Sequence, residues 1–372
     1  MVFNSIFFIF CFLPVFMLIY YLVPGKLRNL LLFLGSLIFY AWGEPVYVIL
    51  MLFSSIFNYY MGTELERLYY DDRKQKINLI FSIIINLAVL VFFKYYGFLL
   101  NTIGGIIGIH IPHPELSLPI GLSFYTFRNL SYLFDIYLSK VSAQRNFLTF
   151  AVYSTMFPYT SAGPIVRYTD IETQLKQRTI NISKFGIGAE LFVKGLAKKV
   201  LLADNLSVLY SSICGHPQMS VFTSWLGILA YTMQLYFDFS GYSDMAIGLG
   251  KMLGFDFNKN FDYPYISTSV SEFWRRWHIS LGSWFRDYIY IPLGGNRVST
   301  LKHIRNILVV WALTGLWHGA SWNFVLWGVY YGLFLLLEKF VLQKYLKKIP
   351  SWLCTVYTTV SYTHLRAHET GR

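Results

Sequence analysis

Residues 3–23, 30–42, 46–61, 77–93 and 225–239 are runs of mainly apolar side chains without polar alternation. Crossing a bilayer as a helix takes about 20 such residues, whereas a barrel strand needs about 10 in strict alternation. The runs therefore predict an all-α, multi-pass membrane protein. Composition agrees: 55% of the 372 residues are hydrophobic and only 13% are charged, about half the charged share of a typical soluble domain. An ordinary cytosolic enzyme is excluded.

Lys and Arg outnumber Asp and Glu by 31 to 19, and cations near span ends mark the cytoplasmic side. Residues 1–23 carry none, Lys26 and Arg28 follow the first run, residues 43–45 carry none, and Arg67, Arg73, Lys74 and Lys76 crowd the next turn. The N-terminus is thus expected outside. Its first run is read as a retained span, because it lacks the basic start and small-residue cleavage site of a signal peptide. The same rule puts loop 101–118 outside, Lys140 and Arg145 inside, and a cation-free loop at 205–220 outside. Stretch 147–158 is short and has basic flanks on both sides, which predicts a re-entrant or interfacial segment. Residues 241–305, with eight cations against five acids, are expected to be cytoplasmic and interfacial.

A straight helix over residues 306–341 would be about 54 Å long at 1.5 Å per residue, too long for one crossing. A break near His318 is expected instead. No repeat relates the two halves. Cys11, Cys214 and Cys354 lie far apart, and His110 and His113 flank Ile111-Pro112 without a third ligand, so neither a disulfide scaffold nor a metal site is expected. Residues 351–360 are too few to span, and 361–372 read as a non-native tail. Residues 1–360 are accordingly expected to be one membrane domain, shortened at its C-terminus.

Ionisable groups are costly inside a membrane and are functional candidates there. His318 lies in Thr314-Gly-Leu-Trp-His-Gly-Ala-Ser-Trp-Asn323, far from cationic loops, with Trp317 and Asn323 in the same segment. Glycines permit close backbone approach and an unwound helix against a cavity; a neutral histidine satisfied by packing is the other reading. His278 lies in Ser269-Val-Ser-Glu-Phe-Trp-Arg-Arg-Trp-His-Ile-Ser280. Ser269 and Glu272 form a capping box, starting a helix on which Trp274, Trp277, Leu281, Trp284 and Tyr288 make an aromatic stripe. That pattern predicts an in-plane helix, aromatic toward the bilayer and basic toward headgroups through Arg275, Arg276 and Arg286. Anchoring is the favoured role for these arginines; meeting a phosphate-bearing cytosolic donor is the alternative. Gln234 and Asp238 share a helix face and lead into Ser240, Tyr242 and Asp244. This cluster either lines a polar path or has its acids paired with nearby Lys or Arg. Lys194, four residues after Glu190 and four before Lys198, reads as an ion-paired, snorkelling face. No phosphate-cradling or dinucleotide motif is present, and the basic charge is assigned to topology and lipid headgroups, not nucleic acid.

Several motifs follow one another in order: the opening Met-Val-Phe-Asn-Ser, Phe39-Tyr-Ala-Trp-Gly-Glu-Pro45, Leu118-Pro-Ile-Gly-Leu-Ser-Phe-Tyr-Thr-Phe127, Phe157-Pro158 with Ala162-Gly-Pro164, Tyr236-Phe-Asp-Phe-Ser-Gly-Tyr-Ser-Asp244, Phe273-Trp-Arg-Arg-Trp-His-Ile-Ser280 and Gly315-Leu-Trp-His-Gly-Ala-Ser-Trp322. Together they resemble the membrane-bound O-acyltransferase family, specifically its alginate O-acetyltransferase-like branch. Arg128-Asn129 departs from the branch, which often has a glutamine there. The resemblance implies a helical funnel with re-entrant and interfacial helices in the bacterial cytoplasmic membrane. It implies His318 as the hallmark catalytic histidine, expected to act as general base, and His278 as the second, orienting the donor or polarising its carbonyl. It also implies acetyl-CoA as the cytosolic donor, with no permanently bound cofactor, and an extracytoplasmic polysaccharide or secreted acyltransferase as the receiving partner. D-alanyl transfer to teichoic acid by the same fold is a rival expectation, and transport of a lipid or glycan a more distant one.

Overall fold

Apolar runs become helices because every backbone N–H and C=O must be satisfied within the segment where water is absent. The computed structural model describes residues 1–216 and 219–366, and its regular structure there is helical, without strands. Val48–Arg67, Asp72–Ile107 and Trp322–Leu346 are long and apolar enough to cross a membrane, and Phe8–Leu22 is a shorter apolar helix. Side chains such as Ile6, Leu22, Ile49 and Ile106 stand exposed, as befits surfaces that face lipid rather than water. The chain divides into two compact units: Met1–Phe192 with Met245–Asn258, and Val193–Asp244 with everything described from Lys259 onward.

In the first unit, helices Val48–Arg67, Asp72–Ile107 and Leu122–Tyr137 are tied by buried polar side chains. Asn58 and Asn86 exchange Nδ2-to-Oδ1 hydrogen bonds of 3.0 and 2.9 Å, and Asn129 Nδ2 donates to Ser54 Oγ at 3.1 Å. Stretch 147–158 forms the helix Phe147–Thr155 and a 3₁₀ turn Phe157–Tyr159, buried from Phe150 onward. Arg128 explains how that irregular backbone is tolerated. Fully buried, it donates from Nη1 to Tyr159 O (2.6 Å) and from Nη2 to Ser154 O (2.9 Å), with its guanidinium 4.5 Å over the Tyr159 ring. The residue that departs from the family pattern thus satisfies carbonyls the short helix leaves open.

In the second unit, the expected break falls where the glycines permit it. Helix Thr300–His318 ends at Gly319, and the next begins at Trp322. The two pack backbone to backbone: a Cβ added to Gly315 would sit 2.3 Å from Phe324 O, and one on Gly328 2.2 Å from Trp311 O.

Two sequence expectations need correction. Residues 205–220 are not simply a loop, since Asp204–Cys214 is helical and continues a preceding helical segment. The aromatic stripe does not lie on one in-plane helix facing lipid. Val270–Arg276 and Ile279–Phe285 are separate helices, divided at His278, whose φ of +45° breaks the helical path. Trp277, Leu281, Trp284 and Tyr288 are buried in protein, because the same spacing serves a protein core as well as a bilayer. Helix Ser351–Arg366 extends past residue 361, while residues 367–372 lie outside the described part.

Candidate active site

Local capping sets the geometry. Ser269 Oγ accepts from Glu272 N at 3.0 Å, as the motif predicted, but the reciprocal half of the box moves upstream: Glu272 Oε2 accepts from Thr268 N and Oγ1, both at 2.9 Å. The remaining first-turn amides are met from far along the chain. Buried Glu338 accepts from Val270 N at 2.7 Å and Ser271 N at 3.0 Å, a carboxylate at the positive end of a helix. It holds the segment carrying Trp274 and Arg275 in place.

His278 and His318, 40 positions apart in sequence, line one cavity of about 380 Å³. Its lining includes Trp274, Trp277 and Trp311 and the polar side chains of Arg275, Arg286, Tyr290 and Lys339. The Trp317 ring lies 5.7 Å from the His278 ring and 5.1 Å from that of His318, between centroids. His318 is further flanked by Trp327 at 4.9 Å. It sits at the C-terminal turn of a 19-residue helix, whose carbonyls favour positive charge. A second cavity of about 480 Å³ shares Ser271, Arg275 and Lys339 with the first and adds Lys347 and Gln343. Lys339 is steadied by His303, whose Nε2 lies 3.2 Å from Nζ.

His278 is nearly enclosed, at 3% exposure, and burial pushes its imidazole down to about 3. It is therefore neutral at physiological pH. Its Nδ1 lies 3.2 Å from Asn260 Oδ1, while Nε2 has no hydrogen-bond partner within the protein.

The other sequence candidates divide. Trp274 and Arg275 line the cavity, and Trp317, outside its lining, packs against both histidine rings. Arg276 does not line the cavity; it bonds Glu272 at 3.0 Å and the Asp262 carbonyl at 3.1 Å. For Asp238 and Asp244 the ion-paired alternative holds, with Lys199 at 2.8 Å and Lys198 at 2.6 Å. Gly241 brings these partners together, since a Cβ there would lie 2.7 Å from Gly195 O. Lys198 thus answers Asp244 on the neighbouring helix. Gln234, Ser240, Tyr242 and Asn323 are not among the residues lining the histidine cavity. Gln234 Oε1 and Ser240 Oγ are buried without a partner, and Asn323 is exposed. Sequence reasoning missed Asn260, Glu338, Trp311 and Lys339, none of which stands in a recognisable spacing.

Residues 42–348 match the profile of the membrane-bound O-acyltransferase (MBOAT) family. The chain is 45% identical over 343 residues to the probable alginate O-acetylase of Pseudomonas aeruginosa, covering 91% of this chain and 66% of that protein. It is 34% identical to the peptidoglycan O-acetyltransferase of Helicobacter pylori, covering 99% of this chain and 77% of the relative. Against the teichoic acid D-alanyltransferase of Bacillus subtilis the identity is 29%, over 66% of this chain and 64% of the relative. The chain spans about two thirds of the length of the alginate O-acetylases it matches.

Proposed function

The chain belongs to the membrane-bound O-acyltransferase family, and we propose that it transfers an acetyl group from acetyl-CoA toward a polysaccharide outside the cytoplasmic membrane. The observation that carries this reading is the convergence of His278 and His318 on one cavity beside an adjoining polar chamber. In this mechanism the thioester reaches the histidine cavity with its phosphates near Arg275, Lys339 and Lys347. His318 takes the proton of the acceptor hydroxyl as its oxygen attacks the thioester carbonyl. The carbon–sulfur bond then breaks and the thiolate leaves with the donor. A placed general base contributes about 10²- to 10⁴-fold, and the helix end behind His318 favours the imidazolium formed.

Relatives named for alginate and peptidoglycan acetylation support a polysaccharide as the destination, reached directly or through a secreted acyltransferase. The higher identity to acetylating than to D-alanylating relatives supports acetyl as the group. The cation distribution supports a donor arriving from the cytoplasm with the N-terminus outside. Proteoliposomes containing the protein and labelled acetyl-CoA test this. His318→Ala is expected to lower label transfer or hydrolysis by about 100-fold or more; equal rates for variant and wild type would overturn the assignment.

A further inference from the structure

Asn260 is 1% exposed and clamps the strained turn at His278 from two directions. Its backbone O accepts from Ile279 N at 2.9 Å, and its side-chain Oδ1 accepts from Ser280 N at 3.2 Å and Ser280 Oγ at 2.9 Å. On the other side its Nδ2 donates to Ser243 Oγ at 3.0 Å. These contacts fix which way the amide points. A backbone N–H can only donate, so the atom shared by Ser280 N and the histidine must be oxygen. That oxygen lies 3.2 Å from His278 Nδ1. The Ser280 hydroxyl also lies 3.5 Å from Nδ1, but it is 2.9 Å from Asn260 Oδ1 and donates there instead. An unprotonated Nδ1 would then face the amide oxygen lone pair to lone pair in a buried site, so the geometry places the hydrogen on Nδ1. The neutral ring then has its lone pair on Nε2, the nitrogen left without a partner.

We propose that Asn260 is a positioning residue that holds His278 in its Nδ1–H tautomer, so that Nε2 meets the substrate as a hydrogen-bond acceptor. This rests on the reading of the cavity as an acyl-transfer site and assigns the polarity of its second histidine. A ring in this state cannot donate a hydrogen bond to the thioester carbonyl. The group facing it is an N–H or O–H of the substrate, which excludes polarisation of the carbonyl as its role. The surroundings agree. Phe239 meets the ring edge-on at 4.7 Å and Trp317 at 5.7 Å. The charged or titratable side chains lining the cavity are Arg275, Arg286, Lys339, Tyr290 and His318. Asp238 and Asp244, on the helix that carries Phe239, are engaged by lysines.

Nitrogen-15 NMR of histidine-labelled full chain in nanodiscs reads the tautomer directly, with His278→Ala identifying the signal. Wild type at pH 7 is expected to show Nδ1 protonated and Nε2 bare. Asn260→Leu, which removes the acceptor, is expected to lose that preference and to lower kcat by about 10- to 100-fold, part of what a placed proton-transfer group contributes. Asn260→Asp keeps the acceptor and adds a negative charge that favours the imidazolium, so the pH midpoint of the His278 nitrogen-15 signals is expected to rise by about one pH unit or more, with Nδ1 still protonated in the neutral ring. An asparagine that only braced the fold, without bonding the ring, would leave both the tautomer and that midpoint where they are. An Nε2–H tautomer in wild type, or an unmoved His278 midpoint in Asn260→Asp, overturns the proposal. If the predicted tautomer is found while His278→Ala and His318→Ala both transfer acetyl at the wild-type rate, the acyl-transfer reading fails and the tautomer assignment stands.

Discussion

Replacing Glu338 by Gln tests how the site is supported. The carboxylate accepts from Val270 N and Ser271 N at 2.7 and 3.0 Å and is 3% exposed. A glutamine keeps the shape but offers one oxygen and one NH₂ to two donors. One charge-assisted bond, about 1.5–3 kcal/mol, is lost, and a buried N–H left facing another donor costs about 1–3 kcal/mol. The favourable carboxylate at a helix N-terminus, about 0.3–1 kcal/mol, also disappears. A destabilisation of at least about 3 kcal/mol follows, a large value for an isosteric change. Thermal unfolding in detergent, followed by tryptophan fluorescence, reads it, because Trp274 rides on the capped helix within a cluster with Trp311 and Trp327. Acetyl-CoA affinity is expected to weaken in the same variant as Arg275 loses its position. If Glu338→Gln unfolds within a degree of wild type and binds donor equally well, the cap does not hold the site as described.

Gly315→Ala places a methyl 2.3 Å from Phe324 O; forcing the two helices apart costs about 1–3 kcal/mol and moves His318, so transfer activity is expected to fall further than stability, measured side by side. Arg128→Leu strips donors from the Ser154 and Tyr159 carbonyls and is expected to destabilise the protein by about 2–4 kcal/mol, read as a lower denaturation midpoint. His278 is held neutral down to about 3 by burial, whereas the unfolded chain protonates it near 6.5. The unfolded state binds the extra proton between those values, so stability present above about pH 6.5 is lost as the pH falls toward 3. Going from pH 7 to pH 5 is expected to cost about 2 kcal/mol, and this part of the slope should vanish in His278→Gln.

Backbone rules and local motifs were readable from sequence; tertiary pairings were not. The helical class, the shortness of the helix within stretch 147–158, the break after His318 and the Ser269 cap all follow from run length, glycine placement or a three-residue spacing, and the structure carries each. The aromatic stripe misled because Trp274, Trp277 and Leu281 at helical spacing are compatible with lipid or with protein, and only packing chooses. The break at His278 was invisible because a positive φ at a non-glycine residue is imposed by Asn260 and Ser280, not by the histidine itself. Pairing of Asp238 and Asp244 with Lys199 and Lys198 was one of two open readings, decided by a helix crossing at Gly241. Arg128 stood out only as a departure from pattern, its role as a backbone donor arising from a segment more than 20 residues away.

Cryo-electron microscopy of the protein with a non-hydrolysable thioether analogue of acetyl-CoA tests the central claim most directly. The account predicts density for the analogue's sulfur and carbonyl between the His278 and His318 rings, beside Trp317, with its phosphates against Arg275 and Lys339. Analogue density elsewhere, with the histidine cavity filled only by protein or lipid, would contradict it.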